Sequence, residues 1–359
     1  MDNAMNSEEI IPFEIDETPS AIRATCKDAR PPAMKAAEAV RKLSPRRIFV
    51  IGNGTSLYTS MAATYTARSL AGPDDPLVLA YPAGDFRYFM PALRPNDVII
   101  GMSASGEFRD VLSIFERYHG QCMLVGITHV PGSSLTRLAD AILLSSGGPS
   151  RVPVMTKTYA STLTALHLLL LEIFQAPAVY FEDLHAVADR CEKALAEARH
   201  IVPDLIPSVA KFEHAFYFGA GNAYPASLEG ALKMKEMAIL HAEGSETWEM
   251  ASGPATVVSE NSLCVALYTG EESDSSTADT ASHSREWGAR VLEVGPDAPA
   301  GDWHLPVEAS PVPAFSSLAL VPPLALLAYR SARARGYNPD RPAWRERYVS
   351  QGMTHIIGE

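Results

Sequence analysis

The sequence is poor in the features that mark secreted, metal-binding and nucleic-acid-binding proteins. Its 359 residues include four cysteines, with no Cys-x-x-Cys pair and no Cys/His spacing typical of a metal site. The thiols are therefore expected to be free, in a reducing cytoplasm. Lys and Arg number 30 against 42 Asp and Glu, which gives a formal net charge of -12. Nucleic acid and anionic membranes require clustered positive charge, so neither is predicted as a partner.

Signals for export or membrane insertion are also lacking. The first nine residues are acidic, where a signal peptide would be basic and then apolar. The most apolar predicted helix, residues 163–174, is interrupted by His167 and Glu172 and is too short to span a bilayer. We therefore predict a cytoplasmic protein in which this helix belongs to a core. With 47% hydrophobic residues, the chain can bury the cores of two ordinary domains.

Short apolar runs that suit buried strands alternate with helical stretches, and the same order occurs twice. The predicted strands are residues 47–52, 97–102, 123–128 and 141–144 in the first copy, and 215–219, 263–268, 290–294 and 303–307 in the second. This alternation predicts an α/β fold of two tandem, doubly wound parallel-sheet domains of flavodoxin-like type, related by an internal repeat. The expected boundaries are an N-terminal segment and helix at 1–44, domains at 45–175 and 206–340, a helical linker at 176–205 and a tail at 341–359.

Ligands of such sheets bind outside the carboxyl ends of the strands. In the first copy, two successive strands are followed there by small polar residues, which are Asn53, Gly54, Thr55 and Ser56, then Ser103, Ala104, Ser105 and Gly106. Ser-Gly loops are often plain turns. Two of them, placed before helix N-termini, favour a site for a phosphate monoester that needs no lysine. A dinucleotide site would need a third glycine after Gly54, so no organic cofactor is predicted, and no metal.

The helix predicted after residues 215–219 carries Glu229, Lys233 and Glu236 on one face, at spacings of four and three. An isolated pair of this kind is usually a solvated ion pair. Beside a strand-to-helix turn, the carboxylate and ammonium can instead move protons on a ligand held in that turn. The equivalent of the serine loop, residues 269–274, is acidic and would repel phosphate. The first copy is therefore expected to bind the ligand, and the second to carry the reactive Glu236.

Several motifs together resemble the sugar isomerase (SIS) family over nearly the whole chain. They are FEIxExP at 13–19, GTS at 54–56, SxSG at 103–106, TK at 156–157, LEGALKxKE at 228–236, HAE at 241–243, GP at 253–254 and NPDRP at 338–342. The resemblance is strongest to the isomerase domain of glucosamine-6-phosphate synthase and to stand-alone sugar-phosphate deaminases and fructosamine-6-phosphate deglycases. No glutamine-hydrolysing domain precedes the motifs, so an isomerase half standing alone is expected.

The resemblance assigns roles to individual residues. It implies a sugar-phosphate site built from Asn53, Gly54, Thr55, Ser56, Ser103, Ala104, Ser105, Gly106, Lys157 and Arg347. Glu236 matches the base that moves a proton between C1 and C2 of the sugar. Lys233 and Glu229 match polar positions on the same helix, and they are candidate catalytic residues with it.

The sequence departs from the family pattern at five positions. Phe108 replaces a threonine, Ala104 a glutamine, Met155 a serine, Ser252 the ring-opening histidine and Arg347 the lysine that forms a Schiff base. The first three changes remove hydrogen-bonding groups from the phosphate pocket, so the preferred ligand is expected to differ. An arginine cannot form the imine because its guanidinium stays protonated, and no lysine follows Lys235. Schiff-base chemistry from the tail is therefore excluded.

Two functions remain open. In the first, Glu236 removes the proton next to the carbonyl or imine carbon of a phosphorylated amino sugar or ketosamine, and the product is isomerised with release of amine. In the second, the protein is a non-catalytic sensor of carbohydrate derivatives. A regulator of that kind usually carries a DNA-binding or other effector domain, and no basic segment here qualifies.

Other candidates each have two interpretations. His241 either supplies the missing ring-opening group or is a structural histidine, and His355 in the tail either folds over the site or is loose. Lys157 either orders the phosphate site or lies on the surface. Trp248 is a candidate for a subunit interface, because the family builds its sites between chains; a homodimer is implied by the resemblance.

Overall fold

The computed structural model describes residues 9–89, 92–297 and 301–350, with only the backbone of 347–350. The first half of the chain forms a sheet of strands β1 (Arg47–Gly52), β2 (Leu77–Pro82), β3 (Val98–Met102), β4 (Met123–Thr128) and β5 (Ala141–Leu144). Its helices are α1 (Ile10–Asp16), α2 (Thr18–Asp28), α3 (Arg30–Leu43), α4 (Thr55–Leu70), α5 (Ala83–Tyr88), α6 (Arg109–Tyr118), α7 (Ser134–Leu138) and α8 (Lys157–Ile173). A long helix, α9 (Ala178–Val209), leads into the second half.

The second half forms a sheet of strands β6 (His214–Gly219), β7 (His241–Glu246), β8 (Ser262–Leu267), β9 (Arg290–Gly295) and β10 (Trp303–Pro306). Its helices are α10 (Tyr224–Ala238), α11 (Thr247–Ala251), α12 (Asp274–Glu286), α13 (Ser317–Ala334) and α14 (Ala343–Ser350). The strand order is β2-β1-β3-β4-β5 in the first sheet and β7-β6-β8-β9-β10 in the second, all parallel. The two orders are equivalent, which confirms the predicted pair of doubly wound α/β domains.

The central strands are fully buried because helices cover both faces of each sheet. Ile48, Phe49, Val50 and Ile51 of β1 all have no exposed surface, although their side chains point alternately to opposite faces. A continuous apolar run is the sequence pattern of a parallel strand buried on both sides. This is why the central strands are predictable from apolar runs alone.

The edge strands β2 and β7 are not fully buried in this way. β2 is partly exposed along its length, and β7 has the polar sequence HAEGSE. Pairing with β6, from His214 opposite His241 to Gly219 opposite Glu246, holds β7 in place. Gly244 lets the strand approach α10 closely, since a Cβ there would lie 2.6 Å from Leu228 Cα.

The core contains two long helices with little exposed surface, α8 and α13. Among the described residues, one helical stretch, Pro313–Ala334, has the length and hydropathy of a membrane span, and 94% of its apolar window is buried inside the protein. It packs against α9 and α10, and we interpret it as a core helix of the second domain. The predicted core helix at 163–174 falls on α8, which ends one residue earlier at Ile173 and contacts α2, α3 and α4.

Two histidines are buried in this core without charge partners. His167 of α8 shares a hydrogen bond of 2.9 Å between its Nδ1 and Thr66 Oγ1, and its ring meets the edge of Phe315 at 4.9 Å. His129, which follows β4, shares a bond of 3.0 Å between Nε2 and Thr162 Oγ1. Burial lowers the pKa of His167 to about 3 and that of His129 to about 4.

These shifts predict that the fold loses stability in mild acid. Below about pH 6.5 the unfolded chain protonates both histidines while the folded protein does not, so stability falls as the pH drops from about 6.5 to 4. The free energy of unfolding changes by up to about 1.4 kcal/mol per pH unit for each histidine.

In thermal denaturation at pH 7, 6 and 5, His167→Met should make the melting temperature depend less on pH. His200→Gln, at an exposed position of α9, should keep the wild-type slope; an unchanged slope in His167→Met would contradict the assignment.

Candidate functional site

A cavity of about 710 Å³ lies at the carboxyl edge of the first sheet, between the two halves of the chain. Its wall combines the β1–α4 turn, the β3–α6 loop, the segment before α8, the end of α10 and the start of α14. The lining residues are Asn53, Gly54, Thr55, Ser56, Met102, Ser103, Ala104, Phe108, Asp110, Val111, Pro153, Met155, Leu232, Lys235, Glu236, Ile239 and Trp344. The fold therefore brings the predicted first-domain loops and Glu236 to one place.

The β1–α4 turn presents a helix N-terminus to the cavity. Gly54 has a φ of 53° and turns the chain into α4, whose first residue is Thr55. The positive end of the helix dipole favours an anion at this position, and the amide of Ser56 in the first turn donates to the Asn53 carbonyl at 3.1 Å. No described residue hydrogen bonds the hydroxyl of Ser56, which is available to a ligand in the cavity.

The β3–α6 loop is shaped by its own serines. Ser103 Oγ accepts hydrogen bonds from the amides of Gly106, at 3.0 Å, and Phe108, at 3.4 Å. Gly106 needs a φ of 74°, and a Cβ at this position would lie 2.1 Å from Ser133 Oγ. Ser103 and Ala104 line the cavity, and the Ser103 hydroxyl hydrogen can still be donated to a ligand. Ser105 and Gly106 lie outside the lining, where Ser105 Oγ accepts from the amide of Glu107 at 3.2 Å.

The three ionisable residues of α10 form a connected group. Lys233 Nζ donates to Glu236 Oε2 at 2.6 Å and lies 3.1 Å from Glu229 Oε1. Thr55 Oγ1 donates to the same Glu229 oxygen at 3.1 Å and lies 3.4 Å from Lys233 Nζ. The side chains of Lys233 and Glu229 are buried, whereas that of Glu236 is 26% exposed and lines the cavity. The hydroxyl of Thr55 is thus directed towards the second domain, and Glu236 is the member of the group that a ligand can reach.

Electrostatics keep this lysine charged. Burial by itself lowers the pKa of Lys233, but the carboxylates of Glu229 and Glu236 outweigh burial, and the net effect raises its pKa. Burial raises the pKa of Glu229, against the effect of Lys233 and Thr55. Glu229 Oε2 has no hydrogen-bond partner among the described residues. Lys233 is therefore a fixed ammonium that holds Glu236, and it is poorly suited to act as a nucleophile.

Glu236 does not lie at the turn of its own domain. It lies twelve residues after Tyr224, the first residue of α10, which places it about 18 Å along the helix from the turn. The end of α10 instead faces the first domain, where α10 packs against α4. The expectation that Glu236 lies beside the turn before α10 is therefore wrong, and Glu236 instead lines the same cavity as the turn before α4.

Charged groups are few around the cavity. Among the lining residues, which all belong to the described part of the chain, Lys235 is the only cation. Asp110 accepts a hydrogen bond from Asn53 Nδ2, and burial raises the pKa of Asp110. An anion at the β1–α4 turn would therefore be held mainly by amides and hydroxyls.

Much of the wall is apolar, which sequence reasoning anticipated only in part. Phe108, Ala104 and Met155 stand where the family pattern has polar residues. Met102, Val111, Pro153, Leu232, Ile239 and Trp344 were not identified from the sequence as lining residues. Leu232 and Ile239 were accessible to a helical-spacing argument, because they precede and follow Glu236 by four and three positions.

Two of the candidate residues named from the sequence, Lys157 and His241, do not line this cavity. Lys157 is buried and donates to Glu17 Oε2 at 2.7 Å, so it ties the start of α8 to α2. His241 starts β7 beside His214, with ring centroids 5.8 Å apart, and lines a separate cavity of about 280 Å³. The side chain of Arg347 lies outside the described side chains, and His355 lies outside the described residues.

Ser252 and Trp248, the remaining positions of interest, are both on the surface. Ser252 Oγ donates to the carbonyl of Trp248 at 2.7 Å at the end of α11. Trp248 is 69% exposed. Neither residue lines the described cavity, and among the described residues no group of three His, Cys, Asp or Glu side chains is suited to hold a metal.

Comparison with known proteins gives consistent relationships. The family model described as "SIS domain" matches residues 43–172 and 208–294. Glutamine–fructose-6-phosphate aminotransferase (isomerizing) of Methanothermobacter thermautotrophicus is 31% identical over 334 residues, covering 92% of this chain and 55% of that protein. The same enzyme of Gloeobacter violaceus is 31% identical over 349 residues, covering 92% and 56%. The chain thus spans about half the length of the curated relatives it matches.

Solved structures share the fold. The C-terminal domain of glucosamine-fructose-6-phosphate aminotransferase from Francisella tularensis has a TM-score of 0.86 at 24% identity, covering 94% of this chain and 99% of that one. Tagatose-6-phosphate ketose/aldose isomerase from Escherichia coli has a TM-score of 0.79 at 22% identity, covering 94% and 96%. Glucosamine-6-phosphate deaminase from Thermotoga maritima has a TM-score of 0.70 at 21% identity, covering 91% and 97%. With its two matched segments and its twofold repeat of the parallel sheet, the chain belongs to the SIS domain family.

Proposed function

We propose that this protein binds a phosphorylated amino sugar or ketosamine and transfers a proton between C1 and C2 of the sugar, with release of amine. The observation that carries the proposal is the position of Glu236. Its carboxylate is reachable from the same cavity as the α4 N-terminus and Ser56, and Lys233 holds it from behind. The named activities of the relatives, an isomerizing aminotransferase, an isomerase and a deaminase, all concern sugar phosphates, which supports this substrate class.

The phosphate group of the substrate is assigned to the β1–α4 turn. A phosphate there accepts hydrogen bonds from the first-turn amides of α4 and from the hydroxyls of Ser56 and Ser103. The sugar chain then extends across the cavity towards Glu236. No cation is needed at the phosphate end, because the helix N-terminus supplies positive potential.

Glu236 is the proposed base. For a ketosamine, in which C1 bears nitrogen and C2 is a carbonyl, the C1–H bond breaks and the proton passes to the Glu236 carboxylate. The electron pair moves to the C2 oxygen, which takes up a proton from solvent to give an enaminol. Return of the proton from Glu236 to C2, with loss of the nitrogen-bound proton to solvent, forms an imine at C1. Addition of water to that imine releases the amine and leaves an aldose phosphate. General acid–base catalysis of this kind contributes about 10²- to 10⁴-fold.

Lys233 has a positioning role in this mechanism. It stays an ammonium between two carboxylates and orients Glu236 through the 2.6 Å hydrogen bond. A substrate that already contains nitrogen needs no imine with an enzyme lysine. This argument favours deamination or deglycation over the transfer of nitrogen from a second substrate. We also propose that the protein works as a cytoplasmic homodimer, as the family resemblance implies.

Substitution of Glu236 tests its proposed role as the base. Glu236→Gln should lower the turnover number for amine release about 10²- to 10⁴-fold, because the amide cannot accept the proton. Fructosamine 6-phosphate or glucosamine 6-phosphate should still stabilise the variant against heat to nearly the same extent as the wild-type protein. Glu116→Gln, at an exposed position of α6 away from the cavity, is the matched control and should behave as wild type.

Two outcomes would contradict this assignment in different ways. Normal turnover by Glu236→Gln would remove Glu236 as the base. Binding of sugar phosphates by the wild-type protein, with no amine release or isomerisation from any of them, would favour the non-catalytic sensor. Ammonia and product assays run alongside the thermal-shift measurements separate the two results.

Substitution of Ser56 tests the proposed position of the phosphate. Ser56→Ala should weaken binding of a hexose 6-phosphate about 10- to 100-fold, because it removes one hydrogen bond to a charged group, and it should leave the melting temperature of the free protein nearly unchanged. Ser60→Ala, one turn further along α4, is the control. Its hydroxyl donates to the Ser56 carbonyl at 2.8 Å and does not line the cavity. Equal affinities of the two variants, measured by calorimetry, would place the phosphate elsewhere.

A further inference from the structure

Ile239, the residue that directly follows α10, has a backbone conformation that is unfavourable for an isoleucine. Its φ of 49° and ψ of 39° lie in the left-handed region, where helices commonly place a glycine. A β-branched residue is a genuine outlier in this region, because its Cβ substituents crowd the backbone. Among the described residues, Ser44 and Gln175 are the other non-glycine residues with positive φ, and neither is β-branched. Strain of this kind is typical of residues retained for function.

Ile239 lines the cavity beside the proposed base. It is 40% exposed, so it contributes little to the core, and it lines the cavity together with Leu232 and Trp344. Trp344 Nε1 donates to the carbonyl of Glu236 at 2.9 Å, which fixes the indole next to the end of α10. These three residues, Leu232, Ile239 and Trp344, are called the apolar shelf below.

The shelf is badly matched to an unsubstituted sugar. Hydroxyl groups placed against Leu232, Ile239 and Trp344 would lose hydrogen bonds to water and gain none from the protein. An alkyl group in the same place would instead gain from leaving water, by about fourfold in affinity for each buried methylene. The arrangement therefore favours a substrate with an apolar group close to the carbon that Glu236 deprotonates.

We propose that the substrate is a ketosamine phosphate whose nitrogen carries an apolar substituent, and that this substituent lies on the apolar shelf. The inference rests on the proposed function, in which Glu236 removes a proton from the carbon that bears the nitrogen. A substituent on that nitrogen is the part of the substrate nearest to the side chains that flank Glu236. The phosphate, at the other end of the sugar, occupies the β1–α4 turn.

The test compares two ligands of the same charge and sugar. These are 1-amino-1-deoxyfructose 6-phosphate and its N-butyl derivative, with affinity measured by calorimetry and turnover by amine release. The wild-type protein should bind the butyl compound about tenfold more tightly or better, since several methylenes are buried. Equal affinities for the two compounds would overturn the inference. Amine release from either compound would still support the proposed function. Absence of binding by both would overturn the inference, and absence of amine release from any ketosamine phosphate would remove the proposed function separately.

Variants of Ile239 test whether the residue with the strained backbone conformation is needed for binding of the butyl group. Ile239→Gly should raise the melting temperature by about 1–3 °C, because glycine adopts this conformation freely, and should abolish most of the preference for the butyl compound. Ile239→Asn, which also tolerates the left-handed conformation but is polar, should lose the preference as well. The matched control is Gln175→Gly, at an exposed position with a φ of 51°, which should be stabilising and keep the preference. A lower melting temperature for Ile239→Gly, or a preference kept in both Ile239 variants, would overturn the inference.

Discussion

The site depends on one buried ammonium held between two carboxylates. Lys233 has almost no exposed side-chain surface, and it lies 2.6 Å from Glu236 and 3.1 Å from Glu229. Removing one partner from such a group leaves a buried charge uncompensated, which is strongly destabilising. The hydrogen bond from Thr55 to Glu229 extends the group across the boundary between the halves. The turn that begins α4 and the end of α10 are therefore fixed relative to each other by electrostatics as well as by packing.

In this arrangement the two halves of a duplicated fold contribute different parts of the cavity wall. The first sheet presents a helix N-terminus and serine hydroxyls at its carboxyl edge. The second sheet contributes α10, whose far end crosses to the first domain. In the second domain the loop after β8 carries its own carboxylates, and Glu271 Oε2 accepts from Asn222 Nδ2 and Thr269 Oγ1 at 2.8 Å each. Asp110 likewise accepts from Asn53 in the first turn, but that turn lines the cavity described above.

The cavity wall has a polar end and an apolar end. The end at the β1–α4 turn is polar but nearly free of cations, so an anion there would be held by a helix dipole and neutral donors. The other end is apolar and contains the strained Ile239. The substitutions at Ala104, Phe108 and Met155 extend this apolar character into the region that the family pattern makes polar. A wall of this kind tends to exclude water, which strengthens the electrostatic interaction between Glu236 and Lys233.

Long-range contacts explain what sequence reasoning missed. Buried parallel strands such as β1 need apolar side chains on both faces, so they are visible as continuous runs. β7 is polar, and it forms because β6 offers it hydrogen bonds and Gly244 lets it pass close to α10. The left-handed conformation of Ile239 carries no local signal at all, since glycine or asparagine is the residue expected there. His241 and Lys157 have the right chemistry for a site, but the fold gives them partners elsewhere.

The sequence by itself determined the duplicated α/β fold, the two serine loops of the first half and the spacing of Glu229, Lys233 and Glu236 on one helix. These follow from local periodicity and composition, which depend only on neighbouring residues. Only the tertiary structure decided that Glu236 faces the turn before α4 and that Thr55 is directed towards Glu229. It also decided which apolar side chains line the cavity. The reason is that these relations depend on how α10 packs against α4, a contact between residues more than 150 positions apart that no local pattern encodes.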